Sequence, residues 1–217
     1  MQPYYDADGI TIYHGDCAEV DEWLAGDVLV TDPPYGIDYR SGWDRVDDTI
    51  ATSIASDLDT SARDGVLSRW GDRPAIVFGS PRIPSLGPRN PIIWHKPGMG
   101  MGDLSHPWRP DYEVVYVLGD GFRADRRGSS VLSFPMSNTT KRREAPHPHA
   151  KPTGLMIHLI DRCPPGTIVD PFMGSGSTLV AAKQCGRRAI GVELAERYCE
   201  VAASRLAQGV LDFGGAA

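Results

Sequence analysis

The sequence has little of what membrane-spanning, metal-binding or disulfide-stabilised proteins need. No uninterrupted apolar stretch approaches the roughly 18 residues that cross a bilayer, and residues 1–9 are polar and acidic, unlike a signal peptide. The four cysteines, Cys17, Cys163, Cys185 and Cys199, show no Cys-x-x-Cys spacing. We therefore expect reduced thiols in a cytoplasmic protein, with neither a zinc site nor a disulfide framework.

Positive charge is scarce in the first part of the chain. Residues 1–60 contain 14 acidic and two basic side chains, a local charge of −12, and the whole chain carries −6. Taken alone, this balance argues against a dedicated nucleic-acid binder. Residues 121–145 differ, since six basic side chains against two acidic ones give +4. We expect either a solvated surface loop or a strip that contacts phosphates. Its basic residues are Arg123, Arg126, Arg127, Lys141, Arg142 and Arg143.

Short apolar runs, each closed by turn residues, predict buried strands. They are Ile10–His14, Val28–Thr31, Ala75–Phe78, Pro91–Trp94, Glu113–Leu118, Thr167–Val169 and Ala189–Val192. Helical patterns lie around residues 155–160, 178–185 and 198–206, and Gly186 is a favourable cap for the second. Strands that are almost wholly apolar and alternate with helices predict an α/β fold, with a largely parallel sheet covered by helices on both faces. The length of 217 residues suits a single domain.

A glycine turn follows the sixth of these strands and precedes a helix. It reads Asp170-Pro-Phe-Met-Gly174-Ser-Gly176-Ser-Thr178, and Glu193 ends the next strand. Glycines allow close approach of a ligand to the backbone, and the helix start offers free N–H donors. An acid at the position of Glu193 can accept hydrogen bonds from the ribose hydroxyls of a nucleoside cofactor.

Three cofactor classes can be compared at this turn. A triphosphate-binding loop needs a lysine after its last glycine, and none follows Gly176. Dinucleotide binding usually needs a third glycine, which is missing. S-adenosylmethionine carries no phosphate, so it needs only the turn, the ribose acid and a pocket that tolerates a cation. The alternative is a strand, turn and helix that merely pack.

The segment Asp32-Pro33-Pro34-Tyr35 follows the second predicted strand. Two prolines remove backbone donors and fix φ, which makes the loop rigid. An exocyclic amine is a poor nucleophile because its lone pair is delocalised into the ring. Acceptors for its N–H groups, the Asp32 carboxylate and the Pro33 carbonyl, would localise that lone pair for attack on a sulfonium methyl group. Tyr35 offers a face on which an extruded base can stack; the alternative is a proline-stiffened turn.

Together, the two segments resemble the DNA amino-methyltransferases that form N6-methyladenine or N4-methylcytosine. Their order, with Asp32 before Asp170, resembles the circularly permuted beta group. Three further segments resemble family motifs: 13–17 near the cofactor adenine, 92–97 beside the base pocket, and 149–152 at the methionine end. The resemblance implies a Rossmann-like, seven-stranded, mostly parallel sheet with one antiparallel strand.

The resemblance also implies a set of site residues. The catalytic set is Asp32, Pro33, Pro34 and Tyr35. The expected contacts to S-adenosylmethionine come from Asp16, Cys17, Asp32, Lys151, Asp170, Pro171, Phe172, Gly174, Ser175, Gly176, Ser177, Thr178, Glu193 and Leu194. The expected DNA contacts come from Tyr39, Arg40, Trp43, Lys96 and the basic residues of 121–145. Asp16 could instead cap a helix beginning near Ala18. No metal is expected, since His147 and His149 lack a matching carboxylate or cysteine.

The expected function is methylation of adenine N6 in DNA, because family members with Asp in the catalytic loop are more often adenine enzymes. The alternatives are N4-cytosine methylation, methylation of RNA or of a protein amide, and a non-catalytic nucleic-acid-binding module. We divide the domain into a catalytic half (about 1–97), a short DNA-contact insertion (98–148) and a cofactor half (149–210). So short an insertion predicts a short or degenerate target, or help from a second subunit in a homodimer. The host would be a prokaryote or a phage-infected cell.

Overall fold

The sheet is the framework of the molecule. The computed structural model describes residues 1–36, 59–83, 85–87, 90–98, 107–136 and 150–208, with only the backbone at Arg126. Within these ranges nine strands form one sheet in the order β1-β2-β9-β8-β3-β4-β6-β5-β7. Their bounds are Tyr5–Ala7 (β1), Ile10–His14 (β2), Val28–Thr31 (β3), Ala75–Gly79 (β4), Ile92–His95 (β5), Tyr112–Leu118 (β6), Val131–Ser133 (β7), Ile168–Asp170 (β8) and Ala189–Glu193 (β9).

The α/β fold is confirmed, with two more strands than the expected seven. The seven predicted strands form with ends shifted by one residue at most, and β6 is antiparallel to both β4 and β5. The two additional strands, β1 and β7, lie at the two edges of the sheet and have three residues each. They escaped prediction because they are short and largely exposed, so no apolar run marks them.

Four α-helices among the described residues cover the two faces. They are Ser61–Trp70 (α1), Thr153–Ile160 (α2), Ser177–Gln184 (α3) and Glu196–Ala207 (α4). One buried cluster joins Val28 and Val30 of β3 to α2, α3 and α4, and the other joins Leu29 to α1. Alternate residues of a strand thus face opposite layers. The described residues contain no helix that is long and apolar enough to cross a membrane.

The direction of the strands decides where the loops meet. All strands except β1 and β6 run the same way, so residues after β2, β3, β4, β5, β8 and β9 lie at one edge, called here the carboxyl edge. The antiparallel strand β6 begins at this edge and ends at the opposite one. Open α/β sheets bind ligands at their carboxyl edge. The expected insertion, residues 98–148, contributes β6 to the sheet interior and β7 to its margin.

Candidate active site

Asp170 joins the two loops that the sequence singled out. Its carboxylate accepts hydrogen bonds from the Thr31 hydroxyl at 2.7 Å, the Thr178 hydroxyl at 2.5 Å and the Phe172 N–H at 3.1 Å. Thr31 ends β3 immediately before residues 32–35, the expected catalytic residues, called here the catalytic segment. Thr178 lies in the first turn of α3. Burial raises the pKa of Asp170 to about 6, despite these donors. With 2 % of its surface exposed, Asp170 is placed to hold the loops together rather than to contact a ligand directly.

The glycine turn after β8 adopts backbone conformations that favour glycine. Gly174 has φ 51° and Gly176 has φ 77°, both in the left-handed region. A Cβ on Gly176 would lie 2.8 Å from the Cβ of Ala202 in α4. Arg205, one turn further along α4, donates to the carbonyl of Ser175. The turn is therefore fixed on one side by α4.

Glu193 ends β9 beside this turn. One carboxylate oxygen accepts the Gly174 N–H at 3.0 Å and the other accepts the Ala195 N–H at 2.8 Å. Burial raises the pKa of Glu193. A carboxylate has about four acceptor positions, so further positions remain for ligand hydroxyls.

The segment that follows β2 lies next to Glu193. The Gly15 N–H donates to the Glu193 carbonyl, 3.0 Å away. Asp16 is exposed and its carboxylate accepts the Ala18 N–H at 2.8 Å, which closes a turn; the helix considered near Ala18 does not form. The Cys17 thiol is buried, which raises its pKa to about 11, and Leu194 is 52 % exposed. Glu193, Asp16, Cys17, Leu194 and the glycine turn thus share one end of the carboxyl edge.

The catalytic segment lies on the other side of the glycine turn. Pro33 and Pro34 are buried, whereas the Asp32 side chain is 25 % exposed. The Tyr35 hydroxyl lies 2.7 Å from Asp32 Oδ1 and 3.0 Å from Glu113 Oε2, within donating distance of either carboxylate. Tyr35 is therefore anchored by its hydroxyl, a feature that its expected stacking role did not require.

Two lysines complete a buried charged cluster around this hydroxyl. Lys151 Nζ lies 2.7 Å from Asp32 Oδ2, 3.0 Å from Glu113 Oε2 and 3.3 Å from the Tyr35 hydroxyl. Lys96 Nζ lies 3.2 Å from Glu113 Oε1. Lys151, expected at the methionine end of the cofactor, is thus paired with Asp32, the expected catalytic aspartate. Both lysines are more than nine-tenths buried.

Glu113 is the residue that sequence reasoning missed. It was taken as the start of an apolar strand, and its charge was not considered. The available signal was a lone acid in the run Tyr-Glu-Val-Val-Tyr-Val-Leu, because a buried strand seldom keeps an unpaired carboxylate. Its position at the carboxyl edge depends on the antiparallel direction of β6, which the run itself does not reveal.

The pKa values in this cluster follow from burial and charge. Burial alone would raise the pKa of Glu113, but Lys151 and Lys96 lower it to about 2. Burial would lower the pKa of Lys151, and Asp32 and Glu113 raise it instead. Burial, together with the same two carboxylates, raises the pKa of Tyr35 well above its ordinary value. The cluster thus groups the side chains of Asp32, Glu113, Lys96 and Lys151 around the Tyr35 hydroxyl.

The structure separates the expected DNA-contact residues. Lys96 is 5 % exposed and lies in the cluster, so it is not a surface contact. Arg123 and Arg127 are exposed but follow the far end of β6, and the Arg123 N–H bonds Arg162 at the edge opposite the catalytic segment. Of the basic strip expected in residues 121–145, the structure describes only the side chains of Arg123 and Arg127. Of Arg126 the structure describes only the backbone. The remaining expected contacts lie outside the described residues: Tyr39, Arg40, Trp43, Lys141, Arg142 and Arg143.

Other exposed groups border the catalytic segment at the carboxyl edge. Arg82 follows β4, and Arg109 precedes β6 next to Trp108, which is 78 % exposed. A cavity of about 210 Å³ lies between Lys96, Arg109 and the ends of these strands. Its lining is His95, Lys96, Pro97, Gly98, Arg109 and Asp111. In the part of the chain that the structure describes, no three histidine, cysteine or acidic residues are grouped as a metal site.

The chain is similar to methylases in sequence and in fold. A family described as DNA methylase matches residues 122–204. A putative methylase of Escherichia coli K12, YubD, is 32% identical over 212 residues, which covers 89% of this chain and 88% of that protein. The crystal structure of the M1.HpyAVI–SAM complex matches with a TM-score of 0.64 at 21% identity, covering 91% of this chain and 98% of that one. The cytosine-N4-specific PvuII DNA methyltransferase matches with a TM-score of 0.69 at 15% identity, covering 99% and 90%.

Proposed function

Because the chain belongs to the N6/N4 DNA methylase family, we propose that it transfers a methyl group from S-adenosylmethionine to N6 of adenine in DNA. The observation that carries the proposal is the position of the Asp32 carboxylate, partly exposed at the carboxyl edge and joined through Thr31 and Asp170 to the glycine turn. The choice of adenine rests on the aspartate at position 32. The order of the two loops further supports the circularly permuted beta group.

The residues at the carboxyl edge fit S-adenosylmethionine. Glu193 retains acceptor positions for ribose hydroxyls, and the glycine turn presents its backbone to the same space. Leu194 and the half-buried Phe172 offer apolar surface for an adenine ring. When bound, S-adenosylmethionine supplies an electrophilic methyl group on a sulfonium.

Asp32 and Pro33 act on the target amine. The Asp32 carboxylate and the Pro33 carbonyl accept hydrogen bonds from its two N–H groups, which localises the nitrogen lone pair and directs it toward the methyl group. The methylated amine then has one proton too many and releases it through the Asp32 carboxylate to solvent. Lys151 Nζ, 2.7 Å from Asp32 Oδ2, holds the Asp32 carboxylate in place for both steps.

Tyr35 and Pro34 shape the base pocket. Since its hydroxyl is anchored to Asp32 and Glu113, the Tyr35 ring keeps a fixed orientation relative to the acceptors of the amine. A fixed aromatic face allows the extruded base to stack with its amino group at Asp32. Pro34 is buried and stiffens the segment between them.

DNA lies over the carboxyl edge in this proposal. A base must leave the duplex to reach Asp32, so the duplex passes close to the exposed residues of this edge. Arg82 and Arg109 offer cations for phosphates, and Trp108 offers an exposed ring. The short segment available for base contacts supports a short or degenerate target.

A second candidate, N4-cytosine methylation, is favoured by the fold match to the cytosine-N4-specific PvuII enzyme. Both reactions use the same acceptor chemistry. Incubation of the protein with labelled S-adenosylmethionine and DNA, RNA or protein tests the substrate class, with Asp32→Ala as the inactive control. We expect label in DNA, recovered as N6-methyladenine by nucleoside mass spectrometry. Recovery of N4-methylcytosine alone would overturn the choice of base, and transfer only to RNA or protein would overturn the substrate.

A further inference from the structure

Glu113 is the one charged residue of β6 and lies where that strand begins. Its side chain is 18 % exposed, and it pairs in register with Trp94 of β5. Because β6 is antiparallel to its neighbours, the start of this strand lies at the carboxyl edge beside the catalytic segment. Neither the motif of the catalytic loop nor that of the glycine turn includes it.

Glu113 shares its partners with Asp32. Lys151 lies between the two acids, 2.7 Å from Asp32 Oδ2 and 3.0 Å from Glu113 Oε2. The Tyr35 hydroxyl also lies between them, within hydrogen-bond distance of Asp32 Oδ1 and of the same Glu113 Oε2. The second oxygen of Glu113 faces Lys96 at 3.2 Å. The aromatic rings of Phe78 and Trp94 flank Lys151, with Nζ 5.1 and 5.6 Å from their centres. Since these rings carry no charge, the charged partners of Lys151 are the two acids.

The charge balance of this buried cluster affects how strongly the Asp32 carboxylate accepts a hydrogen bond from the target amine. An ammonium at 2.7 Å withdraws electron density from the carboxylate and lowers its strength as an acceptor for a second donor. A second carboxylate in the cluster offsets this effect, because it balances the positive charge that Lys151 and Lys96 would otherwise leave in excess beside Asp32. Lys96 in turn balances the second carboxylate, so that the cluster of four charged groups is neutral.

We propose that Glu113 is a positioning residue for methyl transfer: it holds Lys151 and the Tyr35 hydroxyl so that Asp32 keeps its strength as acceptor of the target amine. This role rests on the proposed function. It assigns to Glu113 no contact with the base or with S-adenosylmethionine, and it makes the reaction depend on the charge of a residue outside the catalytic loop.

Glu113→Gln tests the role, because the amide keeps the shape and removes the charge. We expect the single-turnover rate of methyl transfer to fall about 10- to 100-fold, as is common when a residue that orients a reacting group is changed. Affinity for S-adenosylmethionine and the fluorescence of 2-aminopurine at the target position, which reports base extrusion, should stay within about twofold, since Glu113 contacts neither. Asp8→Asn is the matched control: Asp8 also pairs with a lysine, Lys183 at 2.7 Å, but at the opposite edge. We expect it to leave the rate unchanged.

A double-mutant cycle with Lys96→Met separates charge balance from local packing. Glu113→Gln alone gives the cluster an extra positive charge, whereas Glu113→Gln with Lys96→Met restores neutrality. We therefore expect Glu113→Gln to lower the rate less than about threefold in the Lys96→Met background. An equal loss in both backgrounds would overturn the charge argument. So would a loss that follows cofactor affinity or base extrusion instead of the transfer rate.

Different results would overturn the role of Glu113 and the proposed function. If the wild-type protein methylates DNA and Glu113→Gln does so at an undiminished rate, only the role of Glu113 is overturned. If the folded wild-type protein binds S-adenosylmethionine but transfers no methyl group to DNA, the proposed function falls, and the role of Glu113 falls with it.

Discussion

The Thr31 hydroxyl donates a 2.7 Å hydrogen bond to the Asp170 carboxylate, and this bond links the last residues of two adjacent parallel strands. The catalytic segment starts one residue after Thr31, and the glycine turn starts one residue after Asp170. Parallel pairing of β3 with β8 thus brings together segments that are about 140 residues apart in the sequence. The bond fixes the distance between the proposed acceptor of the amine and the proposed cofactor turn.

The buried Asp170 gives stability a pH dependence of unusual sign. Burial raises its pKa from 3.8 to about 6, so the folded protein keeps a proton there that the unfolded chain has lost. The contribution of protonated Asp170 to the stability of the folded protein is complete below about pH 4 and is lost as the pH rises through 6. Over this range we expect the free energy of unfolding of wild type to fall relative to Asp170→Asn, by at most roughly 3 kcal/mol. Urea unfolding at pH 4, 5, 6 and 7 measures this, and parallel curves for the two proteins would contradict it.

Much of this arrangement can be predicted from the sequence, because apolar runs and turn residues are local signals. The strands that carry Thr31, Asp170 and Glu193 were predicted within one residue. The location of Arg123 was not, since it depends on the direction of β6, and a strand's direction is set by its pairing partners. Glu113 was missed for the same reason. The roles of Asp32, Tyr35 and the cofactor residues remain predictions that the geometry supports.

Glu193→Gln should weaken binding of S-adenosylmethionine. The amide oxygen can still accept one backbone N–H, but the amide nitrogen cannot accept the second, so the glycine turn and a ribose hydroxyl compete for fewer acceptors. We expect the dissociation constant to rise about 10- to 100-fold by calorimetry, the range of a lost charge-assisted hydrogen bond. Glu196→Gln, an exposed acid at the start of α4, is the control and should bind normally. Equal affinities of wild type and Glu193→Gln would remove Glu193 from the cofactor site.

Gly176→Ala should be far more harmful than Gly186→Ala. Both glycines have φ in the left-handed region, at 77° and 66°, so alanine costs about 1 kcal/mol of backbone strain at either position. A Cβ at position 176 also meets Ala202 at 2.8 Å, whereas none of the atoms around Gly186 lies within 4 Å. We expect an additional loss of about 1–3 kcal/mol in unfolding free energy for Gly176→Ala, with weaker cofactor binding. Identical denaturation midpoints for the two variants would show that α4 shifts enough to accommodate a Cβ at position 176 beside Ala202.

Tyr35→Phe and Tyr35→Ala separate the hydroxyl from the ring. Phenylalanine keeps the stacking face and loses the bonds to Asp32 and Glu113, so base extrusion should persist while the transfer rate falls about tenfold. Alanine removes the face as well, and stacking is worth about 1–3 kcal/mol per base. The 2-aminopurine signal should therefore be lost only in Tyr35→Ala. A signal lost equally in both variants would mean that the ring alone does not hold the base.

The position of DNA can be tested with arginines at the two edges of the sheet. Arg82→Ala with Arg109→Ala removes two exposed cations from the carboxyl edge, whereas Arg123→Ala with Arg127→Ala removes two from the opposite edge, where Asp125 already pairs with Arg123 at 3.0 Å. Each phosphate contact adds about 0.9 to the slope of log K against log salt. The first pair should reduce that slope by up to about 2 and weaken binding to all sequences alike, because phosphates carry no sequence information. The second pair should leave it unchanged. The reverse result would place the duplex along the far edge, too distant for a base to reach Asp32, since β6 alone spans roughly 20 Å.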